Sequence, residues 1–537
     1  MTSTDAPTPV STGSSAAGRI ARRTVLGGAA WAAPTILLAQ SASAAAASCR
    51  DVYKNQAMGQ LLAGMLGGYN LAQITPAHAS VDAASGPNIA TDGNTLNVNA
   101  LGIQLPLLPA GNTISSVLAL VVNQNLGTLN QFAQANTNGE AIGASGAVSN
   151  ASGGINLTNP SPSSPEFGTL HLKSILQQIT GNSNVTNLVA QVTDIGLQIG
   201  AVVGRASWVG CPAPQTLREY LIAYLRLVVK SAVIGNLATG IQGVLNTTAS
   251  ASAVVTGINN ILNPVLAVIS GANKLSTTVT LTLDTTVLTP LPTDVTAPLR
   301  IDINGATATL DLTTLLGGAY QGGVSNKLNG RSPNTPLYST GEINALDPVK
   351  VINQWVDSFN AVLDQVIQVK ITTLAQTNGG QTKATIAISG TLGEVSNGTA
   401  SVTVTPDVGG VIATAVKPLL PAIGTVLKNA IVGALRPSNG TLATVFNGLD
   451  SLLINVFAVL RDVLLITVDR EWDLDVPTNA TTDVAQSIGY PSWTTPAFNK
   501  EYFVSALEVS LLPGVAAPAG LLDIKLATGA VGPKSVA

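Results

Sequence analysis

Carboxylates at every second residue form the densest group of reactive side chains in the chain. They are Asp469, Glu471, Asp473 and Asp475. Because successive side chains of a strand point to opposite faces, these four acids would share one face of a strand. Carboxylate oxygens are ligands that Ca²⁺ prefers. The segment therefore indicates either a Ca²⁺ site or the solvated outer face of a half-buried strand.

The remaining reactive side chains match no known catalytic motif. Of the two histidines, His78 and His171, neither lies in a motif with a nucleophile. The sequence has no nucleophile elbow, phosphate loop, zinc spacing or dinucleotide fingerprint. Two of its carboxylates would suit a glycoside hydrolase as acid and nucleophile. We expect a non-enzymatic protein that serves adhesion, envelope structure or assembly, with an extracellular carboxylate-dependent glycan hydrolase or a calcium- or ligand-binding module as alternatives.

The first 44 residues have the layout of an export signal. Two arginines precede a short apolar stretch at 25–39, and an Ala-x-Ala cleavage pattern follows. The arginine pair followed by leucine favours the twin-arginine route, which carries folded cargo. The residues that define this signal are Arg22, Arg23, Leu26, Ala42 and Ala44. We therefore expect export after cleavage at residue 44, with the export machinery as a partner and a secreted or cell-surface location.

Charge and hydropathy narrow the classes of partner. The net charge is −3 and charged residues are 10% of the chain, so no basic surface is available to bind nucleic acid. Charged residues interrupt the most apolar stretches of the mature chain, which predicts buried helices and no transmembrane span. The expected partner is a component of the cell envelope or the extracellular space.

Two cysteines, Cys49 and Cys211, are present. In an oxidising exterior they would form a disulfide that ties the mature N-terminus to the body of the protein. Lipidation of Cys49 is the alternative, although no Leu or Val stands three residues before it.

Apolar periodicity predicts an α+β fold of mixed antiparallel sheets and hydrophobic helices. Residues 216–271 have apolar side chains at helical spacing, and so do residues 411–462. Each stretch leads into strands, which hints at two related β/helix halves. We expect three regions: the signal peptide at 1–44, an N-terminal β and helical region at 45–275, and a C-terminal one at 276–537.

Three local patterns make sharper structural predictions. Asn304-Gly305 predicts a two-residue type I′ hairpin that pairs Ile301 with Ala308 and Leu299 with Leu310. Asp347 precedes Pro348 and predicts the N-cap of a helix. A second Asn-Gly pair at 397–398 predicts another tight turn between strands at 383–405.

Several small-residue segments resemble the choice-of-anchor G family of actinobacterial exported proteins. These segments lie at 57–64, 133–135, 143–148, 328–330, 333–335, 521–524 and 531–533. The resemblance implies a surface or secreted protein of unknown molecular function, without catalytic residues to carry over. Relatives carry C-terminal anchoring signals, whereas residues 534–537 offer none, so we expect release or non-covalent association with the envelope.

Overall fold

The structure is a computed structural model that describes residues 52–81, 89–97, 101–121, 128–157, 160–210, 215–317, 328–406, 410–435, 443–475 and 500–536. All of these residues belong to one compact unit, Cys49–Ala537. The predicted α+β class is confirmed, since antiparallel sheets and helices make up the fold.

The strands follow one another in chain order from β1 to β22. The first eleven are β1 Val52–Leu66, β2 Tyr69–Asn70, β3 Ala77–Val81, β4 Ile89–Thr95, β5 Leu118–Leu120, β6 Asn130–Asn136, β7 Glu140–Gly146, β8 Glu166–His171, β9 Val192–Gly200, β10 Val202–Val209 and β11 Gln215–Ile222. The others are β12 Leu225–Ser231, β13 Lys274–Leu283, β14 Leu299–Asp302, β15 Thr307–Asp311, β16 Thr335–Pro336, β17 Ile367–Gln376, β18 Thr382–Thr391, β19 Ser401–Thr405, β20 Leu464–Asp475, β21 Lys500–Leu511 and β22 Leu522–Val536.

Helices are numbered in the same way. They are α1 Ile114–Val117, α2 Lys173–Leu176, α3 Ser183–Gln191, α4 Ala232–Gly235, α5 Leu237–Ser250, α6 Ser252–Leu262, α7 Leu312–Gly317, α8 Thr340–Asn344, α9 Pro348–Val366, α10 Leu392–Ser396, α11 Val411–Val416, α12 Leu420–Leu435 and α13 Ala443–Asp462. Short 3₁₀ turns lie at Leu71–Gln73, Asn263–Val268, Thr285–Val287 and Lys417–Leu419.

The strands form four antiparallel sheets. Sheet A has the order β16-β20-β21-β22-β1-β2, and β3 also pairs with β1. Sheet B has the order β11-β10-β7-β6-β4, sheet C β14-β15-β12-β9-β8-β5, and sheet D β13-β17-β18-β19. The predicted regions 45–275 and 276–537 stay a prediction, although strands from both regions share sheets A and C.

Sheets A and B touch backbone to backbone. A Cβ added to Gly529 would lie 2.2 Å from Gly143 O, and one added to Gly204 would lie 1.8 Å from Ala527 O. A Cβ at Gly59 would lie 2.1 Å from Ala144 O. Sheets that pack through larger side chains lie about 10 Å apart. Small residues therefore bring these two sheets much closer than is usual.

Polar side chains join the two sheets where the ladder of sheet A is irregular. Ala527 has a φ of 53°, and the β1–β22 ladder skips its pairing with Leu61. The Leu61 N–H instead donates to Gln131 Oε1 of sheet B at 2.8 Å. Ser145 Oγ of sheet B lies 2.8 Å from Thr528 O and donates to it. The first bond satisfies the Leu61 N–H that the skipped pairing leaves without a strand partner, and the second ties Thr528 of sheet A to sheet B.

Helices cover one face of sheet D. The α9 helix begins where Asp347 accepts hydrogen bonds from the backbone N–H groups of Val349 and Lys350, which confirms the predicted N-cap. It buries Trp355 and Phe359 and leads directly into β17. Helices α5, α6 and α12 pack against one another on the same side, and α5 and α6 also contact β13.

The β14–β15 hairpin has the predicted register but a different turn. Leu299 pairs with Leu310, and Ile301 pairs with Ala308. The positive φ of 52° falls on Ala306 rather than on Asn304 or Gly305, so the turn is not type I′.

The second Asn-Gly prediction is wrong. Thr391 and Glu394 form a capping box that begins helix α10 between β18 and β19. Asn397 ends this helix, and Gly398 follows it with a φ of 77°. The pair is therefore a helix C-terminus and not a hairpin turn.

The prediction of a helix from residue 216 is also wrong, because β11 and β12 occupy residues 215–231 and the helices begin at Ala232. The whole run from Tyr220 to Leu225 is buried. A strand buried on both faces carries a continuous apolar run, which matches helical spacing by chance. In the hypothesis of two related halves, the first helical stretch therefore does not begin at residue 216.

Within the described residues, one helical stretch is long and apolar enough to cross a membrane, Val411–Leu435. The bent pair Ala232–Ser250 and Ser252–Val268 passes the same test of length and composition. In the first stretch the buried positions recur every three to four residues, while Thr414, Lys417 and Asn429 are exposed. That pattern is typical of a helix that covers a core.

The contact between sheets A and B predicts a large penalty for an added methyl group. Gly204→Ala should lower the free energy of unfolding by about 3 kcal/mol, because the new Cβ would collide with backbone. Gly433→Ala is the matched control on α12, where a Cβ meets open space, and should raise it by up to about 1 kcal/mol. Urea unfolding of both variants measures the difference, and equal stabilities would contradict the close approach.

Candidate functional site

The acidic segment lies on β20, an inner strand of sheet A. Asp469 has a φ of 52°, and the β20–β21 ladder skips its pairing. The ladder is therefore interrupted at Asp469, although its register is the same on both sides, and the prediction that the four acids share one face stays a prediction. Glu471 and Asp473 lie on the regular part of the strand, and the side chain of Asp475 lies outside the described residues.

An arginine of sheet B binds two of these acids. Arg218 Nη1 lies 3.1 Å from Glu471 Oε2, and Arg218 Nη2 donates to Asp473 Oδ1. The Arg218 guanidinium also lies 5.3 Å from the centre of the Tyr502 ring. Arg218 and Glu471 are about nine-tenths buried, whereas Asp473 is more exposed. The cation that offsets these carboxylates is therefore a side chain of the same protein.

Asn334 fixes the same strand through its backbone. Its side chain donates to Glu471 O at 2.7 Å and accepts from Glu471 N at 3.1 Å. The Asn334 N–H donates to Asp469 O at 2.8 Å, and Arg470 Nη1 donates to Asn334 Oδ1 at 2.7 Å. The asparagine thus acts as an additional strand partner beside β20.

A second ion network crosses sheet A beside the first. Glu508 Oε2 lies 2.9 Å from Arg470 Nε, and Glu508 Oε1 lies 3.3 Å from Lys525 Nζ. Lys525 Nζ also lies 2.7 Å from Asp523 Oδ1. Burial raises the pKa of Glu508, although the charges of Lys525 and Arg470 oppose this shift. The network joins β20, β21 and β22.

No three His, Cys, Asp or Glu side chains converge as metal ligands in the part of the chain that the structure describes. The proposed Ca²⁺ site at Asp469, Glu471, Asp473 and Asp475 stays a prediction. The geometry instead assigns Glu471 and Asp473 to an ion cluster between sheets A and B.

The two histidines lie on different sheets. His171 Nδ1 on β8 lies 2.8 Å from Asp194 Oδ2 on β9, and this hydrogen bond raises the pKa of His171. Partial burial alone would raise the pKa of Asp194, but its interactions with His171, Ile195 and Lys173 together lower it. His78 lies on β3, where burial lowers its pKa and the charge of Asp92 partly offsets that effect.

The predicted signal residues and cysteines lie outside the described residues. They are Arg22, Arg23, Leu26, Ala42, Ala44, Cys49 and Cys211. The cleavage site and the disulfide therefore stay predictions.

The uncovered side of sheet D carries a dense array of hydroxyl groups, named here the hydroxyl face. Its hydroxyl residues are Ser276, Thr278, Thr280, Thr282, Thr372, Thr385, Ser389, Ser401, Thr403 and Thr405. They alternate with buried residues such as Leu281 and Ile371, which face the helices. Most of these hydroxyl residues are exposed.

The hydroxyl face is arranged in rows across the four strands. One row runs from Thr278 through Thr372 and Ala387 to Thr403. The next row contains Lys370. Among the described members of the three rows that begin at Ser276, Thr278 and Thr280, Lys370 is the charged residue. Lys274, at the start of β13, also lies on this face, so the face carries a small positive charge and is rich in groups that both donate and accept hydrogen bonds. The Thr-x-Thr alternation of β13 is the sequence signal for it.

The buried position of Arg218 predicts a stability effect. Arg218→Met should lower the free energy of unfolding by about 2 kcal/mol, because Glu471 would stay buried without this cation. Lys230→Met is the control, since Lys230 is exposed, and should change it by less than about 0.5 kcal/mol. Chemical denaturation measures both, and a neutral Arg218→Met would contradict a structural role for the ion cluster.

The His171–Asp194 pair predicts a pH-dependent contribution to stability. The stabilisation that comes from protonated His171 is present below pH 6.5 and is lost as the pH rises through the raised pKa of His171. The stabilisation that comes from ionised Asp194 is present above pH 3.8 and is lost as the pH falls through the lowered pKa of Asp194. His171→Gln should therefore cost about 0.5 kcal/mol near pH 5 and almost nothing near pH 9, given the partial exposure of both side chains. A loss of equal size at both pH values would contradict the charged pair.

No curated protein and no solved structure matches the chain. A family model matches residues 57–532, from within β1 to within β22. The match bears no anchor-related name, so the resemblance to choice-of-anchor G proteins stays an expectation. The chain belongs to the family described as a domain of unknown function, DUF8394.

Proposed function

We propose that this protein is exported and works outside the cytoplasm as a non-catalytic surface protein. The hydroxyl face of sheet D is the site through which it associates with the cell envelope or an extracellular component. The observation that carries this proposal is the exposed array of Ser and Thr side chains on one face of sheet D.

The chemistry of the hydroxyl face supports adhesion to a polyhydroxylated polymer. Hydroxyl groups donate and accept hydrogen bonds, so neighbouring rows bind a surface that presents the same groups. Each bond is worth about 1 kcal/mol, and many weak contacts on one face sum to firm attachment. The lack of aromatic residues in the rows from Ser276 to Thr282 favours a broad, shallow contact over a closed pocket.

The pairing of the first and last strands suits the twin-arginine route. Strand β1 pairs with β22 from Val52–Val536 to Leu66–Leu522. Sheet A can therefore be completed only when the whole chain is available. A route that carries folded cargo matches this requirement.

Export depends in this proposal on Arg22 and Arg23. Replacing both residues with lysine should retain the protein in the cytoplasm, whereas the parent should be found in the wall or the medium. Fractionation of the producing cells with antibody detection measures this. A parent protein that stays in the cytoplasm would contradict the proposed location.

Attachment depends on the hydroxyl face. Thr278→Val, Thr280→Val and Thr372→Val together should lower binding to isolated cell walls by roughly tenfold or more, because they remove three hydroxyl groups and keep β-branched side chains. Thr414→Ala with Thr425→Ala, on the exposed side of the helical layer, is the control and should bind like the parent. Equal binding by both variants would exclude the hydroxyl face as the site.

A further inference from the structure

The two edges of sheet D differ in how they are protected. At the β13 edge, Gln242 of α5 donates from Nε2 to Leu281 O at 2.9 Å and accepts from Leu283 N at 2.8 Å. The glutamine amide therefore takes the place of a neighbouring strand. An edge capped in this way does not pair with another chain.

Among the described residues, no strand and no side-chain cap covers the outer edge of β19, although Pro406 follows it directly and helix α11 contacts it. Strand β19 pairs with β18 on one side and has no strand on the other side. Its residues are Ser401, Val402, Thr403, Val404 and Thr405, without charge or proline. Natural sheets usually protect an edge with lysine, proline, a bulge or a covering element. An open β-branched edge is therefore a surface that pairs with another strand.

The sequence of β19 is symmetric about Thr403. If two copies pair antiparallel with Thr403 opposite Thr403, Val402 lies opposite Val404 and Ser401 lies opposite Thr405. Hydroxyl residues then meet hydroxyl residues on one face, and valines meet valines on the other. Such cross-strand pairs of like side chains stabilise a sheet, and no charges oppose each other.

We propose that β19 is a self-association site, where two copies of this chain pair about a two-fold axis at Thr403. The pairing would join two copies of sheet D into one continuous sheet and would double the hydroxyl face. A two-fold contact is closed and self-complementary, which matches the symmetry of the strand. The inference goes beyond the proposed function and does not depend on where the protein works.

Sedimentation of the exported full-length mature protein tests this site. The parent should form dimers as its concentration rises. Thr403→Lys and Thr403→Glu should each weaken dimerisation at least about tenfold, because like charges meet at the axis. An equimolar mixture of the two variants should restore the dimer, because opposite charges then meet. That rescue also shows that both variants are folded.

Thr282→Lys is the matched control, since it places the same charge on the same face at the capped edge. It should dimerise like the parent. A parent that stays monomeric would overturn the proposal, and so would a dimer that Thr403→Lys leaves intact. A dimer weakened by Thr282→Lys as much as by Thr403→Lys would place the contact elsewhere on sheet D.

Discussion

Sheets A and B lie in backbone contact only because glycine, alanine and serine face each other across their interface. At Gly59, Gly143, Gly204 and Gly529, an added Cβ would lie less than 2.5 Å from a backbone oxygen of the opposite sheet. Larger side chains would separate the sheets and break the bonds from Ser145 and Gln131. The close packing thus fixes where sheet A, with its paired first and last strands, can lie.

The close contact between sheets A and B determines where charged side chains lie. The glycine positions at the contact leave no space for side chains, and the Arg218 cluster instead joins β11 of sheet B to β20 of sheet A. Arg470, Glu508 and Lys525 form the second cluster across the strands of sheet A. Two of the four acids, Glu471 and Asp473, therefore bind an arginine of the same chain, which favours the hydroxyl face as the candidate for contact with partners.

Predictions from the sequence were most accurate where one short local pattern determines the structure. The register of the β14–β15 hairpin and the Asp347 cap follow from local alternation and capping chemistry. The residues from Tyr220 to Leu225 misled the prediction, because burial on both faces removes the period of two that marks a strand. The hairpin turn predicted at 397–398 was wrong because the capping box at Thr391 and Glu394 outweighs the Asn-Gly signal.

The candidate site could be predicted only in part, because it depends on long-range contacts. The acids of β20 were visible in the sequence, but Arg218 lies more than two hundred residues away on another sheet, and nothing local links them. The small-residue segments at 57–64, 143–148 and 521–533 carried the family resemblance, but no contact between them was predicted. They supply the facing surfaces of sheets A and B, so a shared need for small side chains explains their composition.

Hydrogen–deuterium exchange of the native protein tests most directly whether the contact between sheets A and B is the core on which the rest depends. Amides of β1, β7, β10 and β22 should exchange only through global unfolding, while those of β19 and helix α11 should exchange through local opening at lower free energy. If β1 and β22 exchange as fast as β19, sheets A and B are not the most stable part of the protein, and the account is wrong.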